Sequence, residues 1–317
     1  MEYITLKNSD LKVSRICMGG CPLGQYGWGA VEEQELLRTV QAALDAGITF
    51  FDTADTYGLG TSERTLAKAL KGRRSEVILA DKFGVRVENG RTFYDNSPGW
   101  IETALRGSLQ RLETDYIDLY QIHYRDSSTP IGEVVETLEK MKQKGYIRFY
   151  GLSNIHQEDL GELAPYRGRF ASFQDEYSLA CRKNEQDIFM AQKGLELTPM
   201  TWGSLGQGVL TGKYSRDSVF GSNDRRSREV YVNFHGEKLL ENLRIVEAMR
   251  PLGEKYAKSL AALAIRFILD YIPDSVVLCG AKKPGQIRSN AEAADWKLEK
   301  EDLNLLEQAS RSGQGFR

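Results

Sequence analysis

The sequence predicts an α/β fold: a closed (β/α)8 TIM barrel with an N-terminal β-hairpin and a long loop after the seventh strand. Two features predict the barrel. Eight short apolar runs recur along the 317 residues, and amphipathic, helix-like stretches alternate with them. Such repetition implies a parallel sheet with right-handed crossovers, and eight units in this length close into a barrel. A doubly wound sheet competes, but it usually carries GxGxxG after its first strand. Here that strand leads into "GGCPLGQYGWG" (19–29), a poor match.

The elements follow in order. "YITLKNSDLKVSRI" (3–16) reads as a hairpin turning at "NSD", placed to cap the barrel bottom. The eight strands are expected at "RICMG" (15–19), "ITFFD" (48–52), "VILAD" (77–81), "IDLYQI" (117–122), "IRFYGL" (147–152), "FASFQ" (170–174), "LTPMTW" (197–202) and "SVVLCG" (275–280). The segment 31–47 spaces Leu36, Leu37, Val40 and Leu44 as one helical face and stops at Gly47. The helix at 62–72 is expected to use Ser62 as N-cap and Gly72 as stop. Ser-Pro and Thr-Pro open the helices at 97–113 and 129–145. The segment 259–271 is apolar on most sides and should pack hard against the barrel. The span 203–258 far exceeds an ordinary βα loop, and loops that long are usually functional or disordered. One domain is expected over residues 1–317.

Composition narrows the function. The chain is 41% hydrophobic and 27% charged, with net charge −2 and its basic residues spread out. This is ordinary globular composition without a nucleic-acid footprint or a polybasic membrane patch. The start lacks the basic and apolar regions of a signal peptide, and no apolar run approaches the ~20 residues of a membrane span. Cys17, Cys21, Cys181 and Cys279 show no CxxC or zinc spacing, so no metal is expected and reduced thiols in a cytoplasmic protein are.

Chemistry in such a barrel sits at the C-terminal strand ends. Those ends offer Asp52 and nearby Tyr57 in "GITFFDTADTYG" (47–58), Lys82, His123, Ser153 with Asn154, Gln174, and Trp202 leading to Ser204. A solvated rim would also be polar, but it would favour flexible Lys, Glu and Ser. Tyrosine, with a pKa near ~10, is a poor acid or base at neutral pH unless a neighbouring ammonium lowers that value. Lys82 is placed to do so, with Asp52 holding it charged. His123 is placed to bond a substrate oxygen. Such a set suits reversible carbonyl reduction, where an alkoxide must gain a proton. None of these side chains transfers a hydride, so a nicotinamide cofactor is required.

Six segments in register, "GITFFDTADTYG", "DKFG", "DYIDLYQIH", "GLSN", "GSLGQGVLTGKY" and "GAKKPGQIRSN", together resemble the aldo-keto reductases from about residue 5 to about 305. The wording looks most like a bacterial general-stress and inositol-linked group, with potassium-channel β-subunits as more distant relatives. The resemblance implies a barrel, NADPH, and a catalytic tetrad of Tyr57 as general acid, Lys82 lowering its pKa, Asp52 pairing that lysine, and His123 orienting the carbonyl. It also places Ser153, Asn154 and Gln174 on the nicotinamide carboxamide, with Trp202 stacking on the ring and Gly20 and Cys21 close by. Asp52 counts on the cofactor side too. Gly203, Ser204, Leu205, Gln207, Gly208 and Lys213 belong to the pyrophosphate loop, and Arg226 to a closing arm. Gly280, Ala281 and Lys282 match the adenosine-phosphate segment, with Gln286 and Asn290 at the adenine. Cations before a helix N-terminus suit a 2′-phosphate, so NADPH is expected over NADH.

This chain departs from the pattern at Asp81, where Thr or Ser is usual, at "HYRD" in place of "HWPD", and at Ser289 in place of Glu. Asp81 would either strengthen the lysine's hold on its proton or point elsewhere. Asp55 reads as a loop residue, Trp28 as a candidate pocket wall, and His156 as structural or solvated. A Ser-His-Asp hydrolase lacks its GxSxG elbow. The expected partner is a small carbonyl substrate, with no nucleic acid and no membrane, for a monomer or small homo-oligomer. The alternative function is an NADP(H)-binding redox-sensing regulatory subunit with weak reductase activity; the lack of an N-terminal extension is read against a channel partner.

Overall fold

The computed structural model describes residues 1–29 and 31–311. Strands β1 (Tyr3–Thr5) and β2 (Lys12–Ser14) form the expected hairpin. Then come β3 (Ile16–Gly19), helix α1 (Glu33–Asp45), β4 (Phe50–Asp52), α2 (Thr61–Ala69), β5 (Ile78–Phe83), β6 (Val85–Glu88), β7 (Arg91–Tyr94), α3 (Pro98–Leu112), β8 (Ile117–Ile122), α4 (Ile131–Gln143), β9 (Ile147–Ser153), α5 (Leu160–Leu163), β10 (Ser172–Glu176), α6 (Glu185–Gly194), β11 (Thr198–Trp202), α7 (Gly236–Tyr256), α8 (Leu260–Tyr271), β12 (Val276–Gly280), α9 (Pro284–Ala291) and α10 (Lys300–Arg311). The barrel is closed and parallel, in the order β10-β11-β12-β3-β4-β5-β8-β9.

Alternation along each strand divides the molecule into an inner and an outer core. Cys17, Phe50, Ala80, Leu119, Met200 and Val276 pack inside the barrel. Their neighbours, such as Met18, Phe51, Leu79, Tyr120 and Val277, pack outward against helices. The same parity carries Lys82 and Gln121 inward above Ala80 and Leu119, and turns Asp81 and Tyr120 outward. Leu6, Leu11 and Val13 of the hairpin join the inner cluster from below. Lys7 N donates to Thr198 Oγ1 at 2.8 Å and Asn8 Nδ2 to Phe170 O at 2.8 Å, so the turn is fastened under the starts of β10 and β11. The hairpin therefore plugs the bottom and leaves only the C-terminal face open. As expected, α8 is buried over almost its whole surface, from Ala261 through Leu269.

Three local expectations change. Ser62 is not the N-cap of α2; Gly60 holds that place at φ +86°, and Ser62 lies inside the helix. Its hydroxyl instead donates to Gly20 O at 2.8 Å and accepts from Thr53 Oγ1 at 2.8 Å, because it faces the first βα loop rather than its own helix end. At α4, Pro130 rather than Thr129 is the cap residue, and Glu162 accepts from the Ile131 N–H at 2.9 Å. The sixth strand begins two residues later than expected, at Ser172, and brings Asp175 and Glu176 into the ladder. The hairpin β6–β7 was not anticipated; apart from Val85 its residues are exposed or half-buried, and it lies outside the barrel.

The long segment after β11 forms short turns at Gly206–Thr211, Arg225–Ser227 and Val232–Phe234 before α7. It crosses the open face: Arg225 N donates to Gly27 O at 2.9 Å, and Asp224 bridges Trp28. Among the described residues, no helix is long and apolar enough to cross a membrane.

The plug is tested by Leu11→Ala. Leu11 is fully buried, so the substitution should cost about 2–5 kcal/mol, read as a lower urea midpoint at unchanged slope. A loss under about 1 kcal/mol would show that the hairpin is not part of the core.

Candidate active site

A cavity of about 760 Å³ opens at the C-terminal face of the barrel. It is lined by Gly20, Cys21, Asp52, Tyr57, His123, Ser153, Asn154, Gln174, Trp202, Gly203, Ser204, Leu205, Gln207, Gly208, Lys213, Arg226, Gly280, Ala281, Lys282, Gln286 and Asn290. Every site residue predicted from sequence is thus brought to one cavity except Lys82, which lies just behind its wall with no solvent exposure.

Adjacent strands build the polar centre. Register sets Lys82 of β5 beside Gln121 of β8, and Asp52 ends β4 next to them. Lys82 Nζ donates to Asp52 Oδ1 at 2.5 Å and to Thr53 O at 2.9 Å, and lies 3.4 Å from Tyr57 Oη. The other Asp52 oxygen accepts from Gln121 Nε2 at 3.1 Å and Gln174 Nε2 at 3.0 Å. The Tyr57 and His123 rings meet edge to face at 5.9 Å.

Charge states follow from this packing. Burial works against the Lys82 ammonium, but Asp52 and Tyr57 outweigh it and raise its pKa. Burial also pushes the Tyr57 phenol up, and Lys82 offsets only part of that rise. The expected net lowering of the tyrosine pKa is therefore not found; desolvation is the larger effect. Burial, then the Lys82 charge, holds His123 well below its ordinary value, so the imidazole is neutral. At neutral pH the site presents a protonated phenol, a charged amine and a neutral imidazole whose Nδ1 has no protein partner.

Close approach of backbones sets the floor. Gly20 N donates to Asp52 O at 2.6 Å, and a Cβ at Gly20 would lie 2.8 Å from that oxygen. A side chain at this position would push the first βα loop off β4.

Toward the outer end, several side chains serve the protein itself. Arg226 is bound to Asp224 through two nitrogens, Nε at 2.9 Å and Nη2 at 2.5 Å, and also donates to Tyr214. Lys282 Nζ donates to Trp28 O. Gln207 reaches Glu176 Oε1 at 3.2 Å, and the Ser204 hydroxyl reaches Leu278 O at 3.1 Å. Asn290 is different: it lines the cavity with a buried Nδ2 that has no partner. Trp28, weighed as a pocket wall, does line the cavity, and its Nε1 lies 3.3 Å from Cys21 Sγ.

Sequence reading missed Tyr124, Tyr214, Arg225, Tyr231 and Ser259, which also line the cavity. Tyr124 was legible as the aromatic of "HYRD"; its stacking with His123 at 5.0 Å and with Tyr94 of the unanticipated hairpin at 4.9 Å was not. The others come from the long segment or a helix start, where no periodicity indicates direction. All four cysteines are free, and among the described residues no cluster of His, Cys, Asp or Glu is placed to hold a metal.

Asp81 points away from the tetrad. Its carboxyl, fully buried outside the barrel, has its pKa raised by burial and by the nearby Glu63 and Asp55. Glu63 is paired with Arg111 at 2.5 and 3.0 Å. Asp55 is pushed up to about 7, first by burial and then by Glu63. The folded chain therefore keeps a proton on Asp55 that the unfolded chain releases near the ordinary aspartate value of 3.8. That contribution to stability is greatest at low pH and is lost as the pH rises to about 7. Asp55→Asn should be more stable than the parent chain above neutrality, with the gap closing on acidification. Thermal midpoints measured across this range check it, and a constant gap would reject it.

A family model described as "Aldo/keto reductase family" matches residues 15–311. An aldo-keto reductase of Bacillus subtilis is 36% identical over 308 residues, covering 95% of this chain and 91% of its own. A protein of Oryza sativa subsp. japonica described as a probable voltage-gated potassium channel subunit beta is 32% identical over 309 residues, covering 93% and 92%. Among solved structures, a glycerol dehydrogenase of Gluconobacter oxydans superimposes with a TM-score of 0.88 at 32% identity, over 98% of this chain and 96% of that one. With the barrel and the cavity geometry, these matches lead to one conclusion: the chain belongs to the aldo/keto reductase family.

Proposed function

We propose that the chain reduces aldehydes or ketones to alcohols with NADPH, using Tyr57 as the general acid. One observation carries this reading: the Tyr57 oxygen lies 3.4 Å from a buried ammonium that is itself held 2.5 Å from Asp52, at a cavity of about 760 Å³. A bound nicotinamide supplies the hydride. As the carbonyl oxygen gains negative charge, the Tyr57 proton moves to it, and the phenolate left behind faces Lys82. The neutral His123 imidazole can donate one hydrogen bond to that oxygen and fix the carbonyl's orientation. In the reverse direction the phenolate is the base that removes the alcohol proton.

The residues present fit the cofactor. Ser153, Asn154 and Gln174 offer amide and hydroxyl groups at the inner end, with Trp202 as a ring surface. Gly203, Ser204, Leu205, Gln207, Gly208 and Lys213 would hold the pyrophosphate, with Arg226 closing over it. Gly280, Ala281, Lys282, Gln286 and Asn290 would hold the adenosine end, where the partnerless Asn290 Nδ2 awaits an acceptor. Lys213, Arg226 and Lys282 make that wall cationic, which favours the 2′-phosphate of NADPH.

A second reading, a redox-sensing regulatory subunit with weak turnover, is favoured only by the similarity to a channel subunit. A carbonyl panel separates the two: tight NADPH binding with no turnover of any substrate would support the sensor.

Tyr57→Phe should bind NADPH, seen by quenching of its fluorescence, but lose most of kcat toward 4-nitrobenzaldehyde, on the order of 10²-fold or more. Full activity in this variant would end the proposed mechanism. Lys282→Ala should raise the Kd for NADPH by about tenfold and leave that for NADH within about twofold. Equal losses for both would remove Lys282 from 2′-phosphate recognition.

A further inference from the structure

Asp52 is buried and has two carboxylate oxygens to satisfy. Lys82 takes one; two side-chain amides, Gln121 and Gln174, take the other. The amides are not equivalent. Gln174 lines the cavity and is within reach of whatever binds there. Gln121 does not line it, has no solvent exposure, and sits on the inward face of β8 directly above Leu119.

A glutamine there is costly unless it is used, because a buried amide without partners loses its hydration for nothing. It is fully used. Its Nε2 serves Asp52 at 3.1 Å, and its Oε1 accepts from Gln174 Nε2 at 3.4 Å and from Ser172 Oγ at 3.5 Å. Those contacts to Oε1 fix which end of the amide faces Asp52. The space is also made for it. At Gly151, the neighbour of Gln121 in the β8–β9 ladder, a Cβ would lie 3.2 Å from Gln121 Cγ and 2.4 Å from Ser172 Oγ. Glycine on one strand, hydroxyl on the next and amide between them form a socket whose output is the orientation of the Asp52 carboxylate.

We infer that Gln121 is a positioning residue: it holds Asp52 so that Lys82 stays aimed at the Tyr57 oxygen, and it does so without touching substrate or cofactor. The inference rests on the reductase reading above. It assigns Gln121 the constant anchor, since Gln174 has a second duty at the nicotinamide. An aliphatic side chain would pack as well with the layer beneath, so packing alone does not call for an amide.

Two variants of the full chain test it. Gln121→Met keeps length and bulk but loses the donor. It should bind NADPH and saturate with 4-nitrobenzaldehyde within about twofold of the parent chain, while kcat falls about tenfold. The deuterium isotope effect on kcat with 4-deuterated NADPH should rise, because the chemical step itself is slowed. Gln121→Glu should be slower still at pH 8 and recover as the pH falls, when its carboxyl gains a proton that it can donate to Asp52. A kcat loss with an unchanged isotope effect, which a smaller folded fraction would produce, overturns the inference. So does full activity of Gln121→Met, or a Gln121→Glu profile with no acid recovery. A crystal structure of unliganded Gln121→Met reads the same question without turnover. A rotated Asp52 and a longer Lys82–Tyr57 separation support the inference, and unchanged geometry overturns it. If the parent chain reduces no carbonyl, the reductase reading fails, and this structure still decides the role of Gln121.

Discussion

A lysine with no exposure to water keeps its charge at the mouth of this barrel because Asp52 lies 2.5 Å from its ammonium. Such a pair is costly to bury and does little for stability compared with an apolar core. Its value is electrostatic. In a dry setting the ammonium acts on the Tyr57 oxygen far more strongly than it would in water. The surroundings are arranged to sustain that pair: Thr53 O and Tyr57 on the lysine side, Gln121 and Gln174 on the aspartate side. Breaking it from either side would strand a buried charge.

The rest of the architecture can be understood as insulation for this centre. The N-terminal hairpin closes the bottom with Leu6 and Leu11, so water has no route through the barrel. Above, the segment after β11 reaches across to the first βα loop through Asp224 and Arg225, and Lys282, just after β12, joins it there at Trp28 O, narrowing the opening over the cavity. Several cations at the outer end pair with protein groups, Arg226 with Asp224 above all. In the function proposed above, a phosphate bound there would replace those contacts, so its net gain would be less than the charge count suggests.

Burial also explains why the tyrosine is not activated at rest. Desolvation raises the Tyr57 pKa more than Lys82 lowers it. The phenol therefore holds its proton at neutral pH, as the general acid proposed above must. For a reduction this is the useful state, since an acid must still carry its proton when the reaction calls for it. The same physics acts outside the barrel, where Asp55 and Asp81 share a crowded acidic pocket with Glu63, and burial and mutual repulsion outweigh the groups that oppose them.

Much of this was legible in the order of residues. Short apolar runs and helical stretches implied the barrel, and strand ends implied the positions of Asp52, Lys82, His123 and Gln174, because residues near the C-terminal ends of barrel strands lie at the open face. The resemblance of six segments to one family added the residues expected to face the cofactor, and all predicted site residues but Lys82 line the cavity. What sequence left open was direction and partnership. Asp81 and Lys82 are neighbours in the chain yet face opposite sides of the wall, because strand side chains alternate. Ser62 looked like a helix cap but ties two loops together. Gln121 looked like one more strand residue, and its role exists only through Asp52, Ser172 and Gly151, which lie on three other strands. Local pattern determines which elements form and which residues reach the rim. Only closure of the barrel brings distant strands within hydrogen-bond distance, and that closure decides which oxygen each amide holds and which charges survive burial.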